Sequence, residues 1–474
     1  MRYLTPFRPV ERTIKYLKDL ASKDYENILV VVHDDGEKYG VWPGTYEWVH
    51  GKKWLDEFFD TILSCEEVIV TTYSEYMEKY PPSGIVYLPT TSYFEMSEWS
   101  LPATQAKMFV EFVNTLKESG IFSKYRVFVK GGIWKNFFYK YPESNYMHKR
   151  MLFLSRLTRR SLKAKMYVLR AQCNDAYWHG VFGGVYLPHL REAIWRNLIM
   201  AHNIVAKGMM HVKDIDMDGE AEILYEAPNY FITLKPHYGG SVVELSSREK
   251  IYNYVDVIAR RYEHYHDILE AAVPQEEGGG VESIHELKKE IPPEIKKELF
   301  YDTRLRYMFQ DHILPKESTI EDFYASRIKE PIELYKLKYE IAKLRHRYVD
   351  LRFYSKIIKV SKTFELLRDT VIVTYKVTSP KDTFFGVELN VGVHAKKEKL
   401  NQLENVSSFE ITDDVFGKIQ IESTDDVILW KYPIKTLSQS ESGWDFIQQG
   451  ASYTMLYPLR EGEEKIFRIY VREI

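Results

Sequence analysis

His33-Asp34-Asp35-Gly36-Glu37-Lys38-Tyr39-Gly40-Val41-Trp42-Pro43-Gly44 follows the apolar run Ile28-Leu29-Val30-Val31-Val32. A β-branched, uncharged run of this length reads as a strand buried on both faces, as a parallel sheet requires. It stops at two carboxylates and a glycine. Carboxylates at the carboxyl end of a buried parallel strand stand where barrel enzymes keep their chemistry. Trp42, Tyr46 and Trp48 follow. Aromatic rings beside carboxylates suit sugars, whose CH faces stack on rings and whose hydroxyls need polar partners. Asp-Asp-Gly-Glu-Lys is also ordinary turn chemistry after a strand.

The stretch from His33 to Trp48 resembles the fourth conserved region of glycoside hydrolase family 57, in its 4-α-glucanotransferase and α-amylase branch. The family usually has Phe where this chain has Tyr39; Pro6-Phe7-Arg8-Pro9 fits the family too. The resemblance implies that Asp35 is the general acid/base, that Glu37 and Trp42 line the glucan site, and that the substrates are α-1,4-glucans and maltooligosaccharides. It implies no required cofactor. A retaining glycosidase also needs a nucleophilic carboxylate about 5 Å from the acid/base. In the family that Glu lies well upstream, as does a His-Gln-Pro motif that this sequence lacks. The expectation is a carboxyl-terminal portion of such an enzyme, inactive alone, with the nucleophile either supplied by an upstream companion chain or lost through a broken reading frame. A non-catalytic α-glucan-binding or scaffold protein is the alternative, and a sugar mutarotase or lyase using only the carboxyl-terminal half is a third.

Downstream of the loop, apolar runs alternate with helical patterns. Leu55 to Leu63 reads as an amphipathic helix, Val68 to Thr72 as a strand, Glu75 to Tyr80 as a helix capped by Ser74, and Ile85 to Pro89 as a third strand. Alternation of this kind means a parallel α/β layout. A full barrel takes ~250 residues, and here the alternation ends near Trp99. The fold class expected is therefore multidomain: a partial (β/α) barrel over 1–99, a helical segment over 100–208, and a large antiparallel β-sandwich over 209–474. By resemblance the sandwich is akin to the galactose-mutarotase-like fold.

In the helical segment, Gly131 to Phe137 and Tyr141 to Arg150 resemble the family's middle region, which would put Trp134, Asn145 and His148 near the sugar cleft. Their plain alternative is a turn and a helix start. Gln172-Cys173-Asn174-Asp175-Ala176-Tyr177-Trp178-His179-Gly180 resembles the fifth conserved region. There Trp178 would be a stacking platform, with Asn174 and Asp175 contacting hydroxyls. Pro188 opens a strong helix that Gly208 closes. Beyond Gly208 the period changes to two. The stretch Phe385 to His394 reads as a strand with one wet face.

Asp214-Ile215-Asp216-Met217-Asp218-Gly219 has the one-three-five spacing of a calcium loop, but its twelfth position is Tyr225 rather than Glu. A structural calcium on Asp214, Asp216 and Asp218, or a solvated turn, fits these residues. His264, His266 and His285 suggest metal ligands only by residue type. Pro274 to Gly280 reads as a loop insertion.

Basic and acidic residues nearly balance, at 65 against 68, so no nucleic-acid partner is implied. No apolar run reaches membrane-spanning length. Two cysteines fit a reducing interior, and the chain reads as cytoplasmic. Nine glutamines among 474 residues, with many charges, lean towards a thermophile. An unpaired barrel edge predicts aggregation or pairing with a second copy as a homodimer.

Overall fold

A computed structural model describes residues 4–24, 28–94, 96–267, 291, 293–379, 381–394, 398–440 and 443–473. The chain forms two compact units. The first is built chiefly on Met1–Thr91; the second carries Ser92–His266, Pro293–Ser438 and Asp445–Ile474. The insertion expected at Pro274 to Gly280, and His285, lie outside the described residues.

In the first unit the helical half follows the apolar pattern. Helices Val10–Ala21 and Trp54–Ser64 pack Val10, Ile14, Trp54 and Cys65 into a small core. Trp54 stacks on Phe58 at 5.1 Å and donates its indole N–H to the Arg8 carbonyl at 2.7 Å. The short helix Tyr73–Lys79 is capped by Thr72, not by Ser74. The Glu75 carboxylate accepts from the Thr72 N–H at 3.0 Å and completes a capping box.

The strand half departs from expectation. Residues 28–32, 68–72 and 83–89 form no ladder. Val31 and Val32 are about half exposed, Ile69 is 83% exposed and Ile85 fully so. The expected buried strands are apolar segments that pair with no strand among the described residues. The cause is physical: residues apolar on both faces make a strand only when neighbouring strands and two covering layers are present.

The second unit opens with helices. Ala103–Glu118 is followed by Gly120, whose φ of +68° makes a left-handed helix stop. Pro142–Leu157, Leu162–Arg170 and Pro188–Val205 follow, two of them with proline in the first turn. A fifteen-strand sheet then runs Met210–Lys213, Glu222–Glu226, Tyr230–Lys235, Ser241–Ser247, Met308–Leu314, Thr383–Val391, Gly443–Leu459, Gly417–Ser440, Glu464–Arg472, Thr370–Thr378, Lys359–Leu366, Tyr348–Tyr354 and Glu340–Arg345. Asn401–Asp413 and Tyr252–Asn253 pair beside this path. The pairings are antiparallel, as the two-residue period predicts. The sheet folds on itself. Tyr375 and Lys362, from one end of the order, bond Asp311 from the other at 2.8 and 3.1 Å, and the Tyr230 hydroxyl reaches the Leu367 carbonyl.

Thr383–Val391 has no wet face: all but one of its residues are buried. It lies mid-sheet, and its polar residues meet buried charges rather than water. Glu388 bonds Arg304 and Arg306, each at 2.7 Å, and His312 at 3.1 Å. Another buried cation joins the helices to the sheet. Arg191, on Pro188–Val205, donates to Asp256 at 2.9 Å, to the Val185 carbonyl at 2.6 Å and to Gln449 at 2.9 Å.

Candidate active site

In the first unit Asp35 precedes a short 3₁₀ turn, Gly36–Tyr39, which closes the acidic loop. Lys38 turns inward and is 3% exposed. Burial of an ammonium requires a paired anion, and Asp34 supplies it as a direct ion pair. Asp35 stands 3.6 Å from the same ammonium with its side chain 66% exposed. One carboxylate therefore neutralises the buried lysine, while the next is open to solvent. Glu37 is exposed; its carbonyl accepts from the Val41 and Trp42 N–H groups and tightens the turn.

The aromatic residues beside the loop divide. Trp42 is buried, stacked on Phe7 at 5.8 Å, with the Lys38 ammonium 5.4 Å from its ring. Trp48 is half-buried and donates to the Pro6 carbonyl at 2.5 Å. Tyr46 alone of the three is exposed.

In the second unit Asn174–Tyr177 forms a 3₁₀ turn ahead of Trp178. The Trp178 indole donates to the Asn174 side-chain oxygen at 3.0 Å. Its ring meets Phe182 at 4.6 Å, Phe137 at 5.6 Å and Trp134 at 6.2 Å. Asp175 is exposed on the same turn. The loop that follows folds back tightly. Gly184 has φ +56°, and a Cβ there would lie 2.1 Å from the Trp178 carbonyl, so glycine is required. His179 is buried between the Gly183 carbonyl, at 3.0 Å, and the Tyr265 hydroxyl, at 2.7 Å. Burial lowers its pKa to about 3, so it is neutral. Trp178 is thus a half-buried ring fixed in both plane and tilt.

The middle-region residues take structural partners. Asn145 donates to the Asp216 carbonyl at 2.7 Å, and His148 stacks on Phe138 at 4.4 Å. Glu143 binds Arg261 at 2.6 Å. Sequence reasoning missed the cluster nearby. Glu263 is wholly buried against Lys140 at 2.7 Å, with the Tyr141 and Tyr186 hydroxyls donating at 2.6 and 2.8 Å. Burial alone would raise its pKa; the Lys140 charge and the hydroxyls outweigh that and hold it at about 2. His264 and His266 lie in a short 3₁₀ turn, where His266 meets the Leu437 carbonyl at 3.1 Å.

The acidic turn carries its own cation. The Lys235 ammonium pairs directly with Asp216 and lies 2.9 Å from Asp218, which also meets His237 at 2.8 Å. Asp214 accepts two N–H groups of the turn, from Asp218 and Gly219. Burial, then the charge of Asp216, pushes Glu222 up to about 7. Asp214, Asp216 and Asp218 are close enough to share an ion, but calcium would have to displace the lysine.

Asp35, Glu37 and Trp42 belong to the first unit, and Asn174, Asp175, Trp178 and the acidic turn to the second. Residues 1–89 match the family described as "Glycosyl hydrolase family 57". Residues 132–205 and 214–469 match the middle and C-terminal domains described for α-amylase/4-α-glucanotransferase. The chain is 54% identical to a 4-α-glucanotransferase of Thermococcus kodakarensis, covering all of this chain and 72% of that protein. It is 53% identical to an α-amylase of Pyrococcus furiosus, with the same coverage. The crystal structure of the Thermococcus litoralis 4-α-glucanotransferase superimposes with a TM-score of 0.88 at 50% identity, over all of this chain and 71% of that one. With more than half its length matched by one family domain and its whole length matched by these relatives, the chain belongs to glycosyl hydrolase family 57, in the α-amylase/4-α-glucanotransferase branch.

Proposed function

We propose that the protein acts on α-1,4-glucans and maltooligosaccharides by a retaining mechanism in which Asp35 is the general acid/base. The observation that carries this is the division of labour in the acidic loop: Asp34 is spent on the buried Lys38, whereas Asp35 is open to solvent. Asp35 protonates the glycosidic oxygen as it leaves, then takes a proton from the incoming acceptor. A sugar hydroxyl as acceptor gives transfer and water gives hydrolysis; relatives named for each activity support both outcomes. Trp178, fixed by Asn174 and its aromatic neighbours, serves as a stacking platform for a glucose face, with Asp175 contacting hydroxyls. Glu37 and Trp42 shape the acid/base side. A retaining mechanism also needs a nucleophilic carboxylate about 5 Å from the acid/base. A cytoplasmic location is in keeping with two unpaired cysteines.

The test uses these 474 residues together with the part of the T. litoralis 4-α-glucanotransferase that they do not match. Maltotriose should be redistributed into glucose and longer oligosaccharides, and Asp35→Asn should lower that turnover by 10²-fold or more, on the order of a general acid/base contribution. Turnover that survives Asp35→Asn assigns the proton transfer to another residue. Equal turnover by the 474 residues alone places the nucleophile among them.

A further inference from the structure

Between Ser144 and Asn174 the sequence has eight basic residues and no acidic one, in a chain whose charges nearly balance. Two of the eight turn inward: Lys149 lies over the Phe138 ring, and Arg150 is buried against Glu244. The other six, Arg156, Arg159, Arg160, Lys163, Lys165 and Arg170, are exposed, and none of them makes an ion pair among the described residues. Several exposed cations of the carboxyl-terminal half, by contrast, find carboxylates. Lys316 meets Asp382 and Lys338 meets Glu220, each at 2.6 Å, and Arg352 meets Asp350 at 2.8 Å.

Helix Leu162–Arg170 arranges three of the six around an apolar stripe. Ser161 caps its start by accepting from the Ala164 N–H at 3.3 Å. Ala164 and Val168 are buried, with Ala171 just beyond, where the helix packs on Pro188–Val205. Leu162, Met166 and Leu169 point the other way and are 77%, 46% and 45% exposed. At about 100° per residue these three span only ~60° of the outward side. Lys165 stands ~40° beyond one edge of the stripe, and Arg170 and Lys163 ~40–60° beyond the other. Aliphatic side chains edged on both sides by long cations are the pattern of a helix lying in a lipid–water interface: the stripe enters the acyl boundary while Lys and Arg reach outward to phosphates. No helix among the described residues is long and apolar enough to cross a membrane; this one is placed to rest on a surface.

The charge argues against other occupants. A second copy meeting this face across a two-fold axis would set six cations against six. A nucleic-acid strand is held by aromatic platforms beside its phosphate contacts, and the centre of this face is aliphatic. Tyr167 is half-buried, with the Arg170 guanidinium 5.8 Å from its ring. We propose that helix Leu162–Arg170, with Arg156, Arg159 and Arg160 ahead of it, docks the protein on an anionic lipid surface.

Flotation of the 474-residue chain with vesicles tests this. Vesicles of phosphatidylglycerol and phosphatidylcholine in equal parts should bind it at least ~10-fold more tightly than phosphatidylcholine alone. Raising salt from about 0.1 M to about 1 M, which shortens the screening length from about 10 to about 3 Å, should weaken that binding at least ~10-fold. Lys163→Gln with Lys165→Gln and Arg170→Gln should weaken it roughly 100-fold, and Leu162→Ser with Leu169→Ser roughly 10-fold. All five positions are exposed, so both variants should keep the thermal transition of the parent. A fluorescent thiol label on the exposed Cys173, just past the helix, should shift to shorter wavelength on the anionic vesicles. Equal binding to both kinds of vesicle, an unshifted label, or binding indifferent to both sets of substitutions overturns the proposal. Self-association that Leu162→Ser with Leu169→Ser disrupts makes a second copy the occupant, and binding to duplex DNA in preference to vesicles makes it a nucleic acid; either outcome overturns the proposal too.

Discussion

At Asp34 and Asp35 two adjacent carboxylates have opposite fates because one lysine faces inward. The pair was visible in the sequence; the asymmetry was not, since nothing in Glu37-Lys38-Tyr39 says which side chain turns in. Glu263 was invisible for a different reason. Its partners Tyr141 and Tyr186 lie 122 and 77 residues away, beyond any local pattern. Trp178 sits between these cases: its residue type and neighbours suggested a platform, but Gly184 fixes the loop behind it. The expected outcome for Trp178→Ala is a roughly 3- to 10-fold loss of maltooligosaccharide affinity with the thermal transition retained, in line with an aromatic contact of about 0.5–1.5 kcal/mol. Calorimetry checks it, and unchanged affinity would assign the ring to packing alone.

Elements with one apolar face were legible, and those needing an absent neighbour were not. Helices Trp54–Ser64 and Pro188–Val205 fall where the apolar stripe puts them, the second with Pro188 opening it. The antiparallel strands from Glu222 to Ser247 follow their turns. By contrast, Ile28 to Val32 has as strong a β-pattern as any stretch in the chain, yet forms no strand. Pattern gives a segment's preference; a ladder needs a partner. Thr383–Val391 misled in the reverse sense, because alternating Glu388 and Asn390 looked wet while facing a buried arginine cluster. Helix Tyr73–Lys79 buries no residue, so its cap matters. Thr72→Ala should cost about 1 kcal/mol locally and speed exchange of the Tyr76 and Tyr80 amides several-fold. Exchange that does not change would show the helix held by something other than its capping box.

For the whole molecule, acid is the expected weakness. His179 is lowered to about 3, and His148 and His202 to about 4, chiefly by burial. Each is neutral in the fold but protonates in the unfolded chain below about pH 6.5. The unfolded state then binds more protons, so stability falls as pH drops from 6.5 towards 4. Glu222, raised to about 7 by burial and Asp216, acts oppositely: its contribution is lost as pH rises from 4.5 to 7. Three groups outweigh one. The urea midpoint should be lower at pH 4.5 than at pH 7, and the reverse order would show that these histidines do not govern the acid limb.

The clamp at Arg191 has a consequence in time. Its acceptor Gln449 lies 258 residues further along the chain. At ~5–20 residues per second of synthesis, the guanidinium is made roughly 13–50 s before that acceptor exists. Throughout that interval helix Pro188–Val205 holds a cation that its final position will bury. The helix can therefore form early, its guanidinium meeting the Val185 carbonyl and Asp256 first, and the last hydrogen bond of the clamp closes only when Gln449 is made.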